Sequence, residues 1–122
     1  MFDHIGLRVK DLKAAARLYT AMLKPLGYAA GASGDSYAGF GPKDAPALWL
    51  HRDPKSKSRG CHVALRAPTR KAVDGFHAAG LKAGAKDHGA PGLRTDYAPN
   101  YYAAFLLDAD GNNVEAVCMH PK

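Results

Sequence analysis

"DHIGLRVKDLKAAARLYTAMLK" at residues 3–24 and "CHVALRAPTRKAVDGFHAAGLK" at residues 61–82 are two versions of one text, 58 positions apart. Compared without gaps, 4–24 and 62–82 share His4/His62, Leu7/Leu65, Arg8/Arg66, Lys13/Lys71, Ala14/Ala72, Ala21/Ala79, Leu23/Leu81 and Lys24/Lys82. Average residue usage would give about one or two such matches. A repeat fixes architecture before any other signal is weighed. The unit here is one supersecondary motif, present twice.

Each copy opens on a strand. "HIGLRV" sets Ile5, Leu7 and Val9 on one face and His4, Gly6 and Arg8 on the other. "HVALRA" sets Val63 and Leu65 against His62, Ala64 and Arg66. A helix follows in each. Asp11 is the N-cap of the first, and Leu12, Ala15, Ala16, Tyr19, Met22 and Leu23 form its apolar stripe. Thr69 caps the second, lined by Val73, Phe76 and Ala79, with Gly75 and Gly80 weakening it by about 1 kcal/mol each relative to alanine. Strands are then predicted at 28–31, 36–41 and 46–52 in the first copy, and at 84–88, 101–107 and 113–119 in the second. "GAPGLRTDYAPN" at 89–100 reads as a long Gly/Pro loop over a ligand site. The fold class is α+β: two βαβββ modules, about 1–53 and 60–122, in a single domain.

At 122 residues the chain suits one core rather than two. With 47% hydrophobic and 23% charged residues it has the composition of a globular domain. No apolar run nears the roughly 20 residues that span a bilayer, and the N-terminus lacks a signal-peptide pattern. Cys61 and Cys118 read as free thiols of a cytoplasmic protein. Cys61, of opposite parity to His62, is expected on the core face. Net charge is +6, but the bases are scattered and the run "KSKSR" at 55–59 sits in a polar connector, so neither nucleic acid nor membrane is expected as a partner.

Strand parity gathers the chemistry. The apolar faces pack on the helices, which turns His4, His62, Arg8 and Arg66 to the opposite, concave side. In "NNVEAVCM", Val114, Ala116 and Cys118 take the apolar parity and Glu115 the other. An acid between Val114 and Ala116 is costly without a partner. A divalent metal is one partner, with two imidazoles completing a two-histidine, one-carboxylate set that leaves positions open for substrate. Arg8 or Arg66 is the other. Of Tyr101 and Tyr102, alternate parity puts one in the cleft; a catalytic role is assigned to Tyr102 and a substrate contact to Tyr101, with the choice of face left open.

With these pieces in hand, the sequence resembles the vicinal oxygen chelate superfamily, which includes glyoxalase I, extradiol dioxygenases, fosfomycin-resistance thiol transferases and bleomycin-binding proteins. "DHIGLRVKDLKAAARLY", "HVALRAPTRKAVDGFHAAG" and "PNYYAAFLLDADGNNVEAV" carry the resemblance across essentially the whole chain. It implies paired βαβββ modules whose sheets curl around a cleft with helices outside, and metal ligands at His4, His62 and Glu115. The divalent metal so implied is iron, manganese, zinc or nickel, its identity left open by the sequence. A fourth ligand, usual at the end of the first module, falls on Trp49, which cannot ligate; His51 shares its parity. The function implied is a metal-dependent enzyme chelating vicinal oxygens of a small molecule, with Glu115 and Tyr102 catalytic and Arg8, Arg66, Arg94, Trp49 and Tyr101 on the substrate. The alternative is a metal-free drug-sequestering protein that stacks its ligand on Trp49. Family members close the cleft within one chain or exchange modules between two, and a homodimer is expected.

Overall fold

The computed structural model describes all residues 1–122. The first module runs β1 (Ile5–Val9), α1 (Leu12–Leu23), a 3-10 turn (Lys24–Leu26), β2 (Ala29–Ser33), β3 (Tyr37–Gly41) and β4 (Leu48–Arg52). The second runs β5 (His62–Arg66), α2 (Arg70–Lys82), β6 (Lys86–Leu93), β7 (Tyr102–Leu107) and β8 (Asn113–Cys118). Each forms a four-stranded sheet of identical topology, β1-β4-β3-β2 and β5-β8-β7-β6. In both, the first and last strands of the module pair in parallel and the rest antiparallel. The repeat is thus exact at the level of register: Gly6 pairs Trp49 as Ala64 pairs Glu115.

The helices begin where the caps dictate. The Asp11 carboxylate accepts from the Ala14 N–H at 3.1 Å and the Thr69 hydroxyl from Ala72 at 3.0 Å. Each such cap satisfies an N–H that the first turn leaves unpaired. Gly75 and Gly80, unfavourable by propensity, have a packing reason. A Cβ at Gly80 would lie 2.2 Å from Leu106 Cδ1, and one at Gly75 would lie 3.0 Å from Pro25. The missing side chains let α2 settle close to β7 and to the first module.

Leu7, Val9, Tyr19, Leu50, Val63, Phe76, Leu106 and Val114 belong to one buried cluster drawn from both modules. Helix α1 packs on its own sheet, α2 on its own, and the two helices on each other. A polar tie crosses the junction. Tyr19 donates its hydroxyl to Asp108 Oδ2 at 2.6 Å, while Asp108 also accepts from the Asp110 and Asn112 N–H groups and the Asn112 amide. Burial and the Asp108 carboxylate push the Tyr19 phenol far above its ordinary range. No helix is long and apolar enough to cross a membrane.

Two expectations need correction. Strand β6 runs to Leu93, so the predicted loop at 89–100 shrinks to 94–101. Gly89, Pro91 and Gly92 are tolerated because β6 is an edge strand whose register shifts around Gly89. Cys61 lies just before β5 and is exposed rather than on the core face; only Cys118 is buried, and neither forms a disulfide.

Candidate active site

With a helix on one face only, each sheet keeps an open face, and strand parity decides what stands there. On the second sheet the open face carries His62 from β5, Glu115 from β8 and Phe105 from β7. Phe105 and Ala64 are the direct neighbours of Glu115 in the ladder. Glu115 is 1% exposed despite its place on that face. His62 Nε2 meets Glu115 Oε2 at 2.8 Å, and the Tyr101 hydroxyl donates to the other oxygen, Oε1. Both carboxylate oxygens are therefore held, which answers the desolvation cost of burying the group. Desolvation first, then the bond to Glu115, pushes the Tyr101 phenol up to about 12.

Tyr101 and Tyr102 part company as alternate residues must. Tyr101 faces Glu115, whereas Tyr102 points towards α2, donates to Asp74 at 2.6 Å and lies beneath the Arg70 guanidinium. The hydroxyl at the carboxylate is thus that of Tyr101, and Tyr102, the residue assigned to catalysis by sequence, stands on the helix side. Phe105, passed over in the sequence reading, belongs to the site; its parity with Tyr101 was the available signal. Its ring lies 6.3 Å from that of His62. The Arg94 guanidinium stands over the same Phe105 ring, 5.4 Å from its centre. Neither Arg8 nor Arg66 reaches Glu115: Arg8 pairs with Asp53 at 3.1 Å, and Arg66 stands exposed at the end of β5.

The first sheet is furnished differently. Trp49 occupies the position equivalent to Glu115 and packs against Gly39, its ladder partner, where a Cβ would be 2.5 Å from its ring. Tyr37 tilts against it at 6.2 Å, and His51 covers Gly6. His4 is exposed and bonds its neighbour Asp3 at 2.5 Å. No group of three or more His, Cys, Asp or Glu side chains is poised for a metal. The predicted set of His4, His62 and Glu115 is therefore not assembled within one chain; His62 and Glu115 meet, and His4 lies just before β1 in the other module. An apolar pocket of about 320 Å³ opens between the modules, lined by Phe40, Leu48, Val63 and Leu65 with His4 at its edge. Neither Glu115 nor His62 lines it.

This topology and the match to a family model over residues 1–116 place the chain in the glyoxalase/bleomycin resistance protein/dioxygenase superfamily. A glyoxalase/bleomycin resistance protein from Albidiferax ferrireducens T118 is similar at 28% identity and a TM-score of 0.85, covering 97% of this chain and 98% of that one. A glyoxalase/bleomycin resistance protein/dioxygenase family enzyme from Burkholderia phytofirmans PsJN, at 15% identity, shares the fold with a TM-score of 0.74 over 97% and 98% of the two chains. A glyoxalase-related enzyme from Fulvimarina pelagi does so at 16% identity and 0.72, over 93% and 84%. Among curated proteins no sequence matches.

Proposed function

We propose that the chain is a small-molecule enzyme of the glyoxalase/dioxygenase type, with Glu115 as its acid–base group. The observation that carries this reading is a carboxylate sunk into an open sheet face, held between an imidazole and a phenol. A structural acid has no need of that position, since alanine or valine would fill a strand at lower desolvation cost. The members differ in exposure and in how firmly they hold a proton. Tyr101 holds Oε1 and stays protonated across the physiological range, its phenol being pushed up to about 12. His62 has a side chain 54% exposed and is the member a substrate can displace from Oε2. Glu115 would then take a proton from the substrate at Oε2 while Tyr101 keeps the carboxylate aimed.

One chain does not fit the three-ligand metal site. In a metal-bound form, in place of that metal-free acid–base arrangement, His62 Nε2 and Glu115 Oε2 would supply two donors, and the third would be His4 of a second copy, in a homodimer that joins the open face of one sheet to that of the other. An ion so held would polarise a substrate oxygen. Elemental analysis of untagged protein beside Glu115→Ala tests this. Near-stoichiometric metal that the variant loses supports the site; equal metal in both refutes it.

One observation favours a second reading. Trp49, packed against Gly39 and flanked by Tyr37, offers aromatic surface for stacking a planar ligand. Under that reading a planar aromatic compound binds unchanged in chelator and quenches Trp49. Turnover in metal-loaded protein, lost in Glu115→Gln, would decide for the enzyme.

A further inference from the structure

The loop between β6 and β7 delivers more than the tyrosine at its end. Arg94 opens it and Tyr101 closes it, and the Arg94 N–H donates to the Tyr101 carbonyl at 2.7 Å. The two are thus cross-strand partners whose side chains share a face. Tyr101 reaches Glu115 from there, and the Arg94 guanidinium lies over Phe105, the ladder neighbour of Glu115. Cation and carboxylate flank one aromatic ring.

The guanidinium is held in place yet lacks a counter-ion. Its Nη2 donates to the Ala90 carbonyl at 2.7 Å, and no carboxylate pairs with it. It is half-buried. Two glycines of β6 make its berth: a Cβ at Gly89 would lie 3.3 Å from Nη2 and 2.7 Å from Phe105, and one at Gly92 would lie 3.2 Å from Nη1. A fixed, partly desolvated guanidinium with an unused edge is a receptor for a planar oxyanion. The nearby Glu115 carboxylate limits the charge such a ligand can carry, because a dianion would meet more repulsion than a monoanion.

We propose that Arg94 binds the carboxylate of a small monocarboxylate substrate, and so holds its reactive end over Phe105 against Glu115. This rests on the reading of Glu115 as the reacting group, and it names the substrate class. Pyruvate, its uncharged methyl ester and inorganic phosphate are suitable probes, titrated calorimetrically into chelator-treated protein labelled with 15N-arginine. Pyruvate is expected to bind saturably and shift the Arg94 Nε–H resonance. Arg94→Gln should weaken it by about tenfold or more while the protein still melts in one cooperative transition, and Arg94→Lys should fall between. Unchanged pyruvate affinity in Arg94→Gln, equal binding of the ester, tighter binding of phosphate or no saturable binding would each overturn the proposal. Glu115→Gln separates the two ideas. It should keep or tighten pyruvate binding, because it removes a like charge and leaves Arg94 in place, so the carboxylate site is read by binding alone and stands or falls independently of Glu115 as the reacting group.

Discussion

Glu115 shows how a single position acquires chemistry from its neighbours. The strand places it on the open face, Tyr101 and His62 take its two oxygens, and Phe105 and Ala64 flank it in the ladder. If Glu115 is the base proposed above, replacing it with glutamine keeps the volume and removes that base, so turnover of a substrate found for the protein should fall by about a hundredfold or more. Tyr101→Phe frees Oε1 and should lower turnover less, since it aims the base without receiving the proton. The phenol also titrates late. Its folded-state value near 12 lies above the ordinary 10, so the folded protein holds that proton more tightly. The stabilisation is complete below pH 10 and is lost as pH rises towards 12. Alkaline melts should therefore fall more steeply over that window in wild type than in Tyr101→Phe.

At the scale of elements, the glycines carry the argument. By propensity alone, Gly80→Ala should stabilise α2 by about 1 kcal/mol. The structure reverses the sign. The added Cβ would stand 2.2 Å from Leu106 Cδ1, which is fully buried and has little room to yield. A net loss of about 1–2 kcal/mol is expected in denaturant melts. On the open face of the first sheet, Gly39→Ala would drive a methyl group into the Trp49 ring. It should shift the fluorescence of this single tryptophan while leaving the Glu115 site untouched, and it should abolish planar-ligand binding if Trp49 is the platform.

The whole molecule is two modules held by a shared core and one buried polar tie. Tyr19→Phe removes a bond to a buried carboxylate and should cost about 2 kcal/mol. Unfolding should stay a single transition, because the apolar cluster still spans both halves. The two open faces belong to the same scale. If a second copy supplies His4, then His4→Ala and Glu115→Ala should each lose metal alone. Mixed and refolded together, they should regain it in about a quarter of the sites, since half the dimers carry one intact cleft. No recovery on mixing would refute the shared site.

Much of this was legible without coordinates. The 58-residue repeat, the period-2 parity of its strands and the caps at Asp11 and Thr69 determine the modules, the strand faces and the helix starts. These are local properties, set by sterics and hydrogen bonding within a few residues, so a linear text contains them. Parity alone put His62 and Glu115 on one face. What parity cannot supply is an origin: it says that Tyr101 and Tyr102 face apart, while only the packed loop shows that Tyr101 meets Glu115. The strand predicted at 84–88 was there, but its Pro- and Gly-bearing continuation to Leu93 was hidden, because an edge strand needs only one bonded side. Whether His4 joins His62 depends on how two modules dock, a matter of the surfaces buried between α1 and α2. Residues far apart in sequence make that contact, and tertiary structure alone decided it.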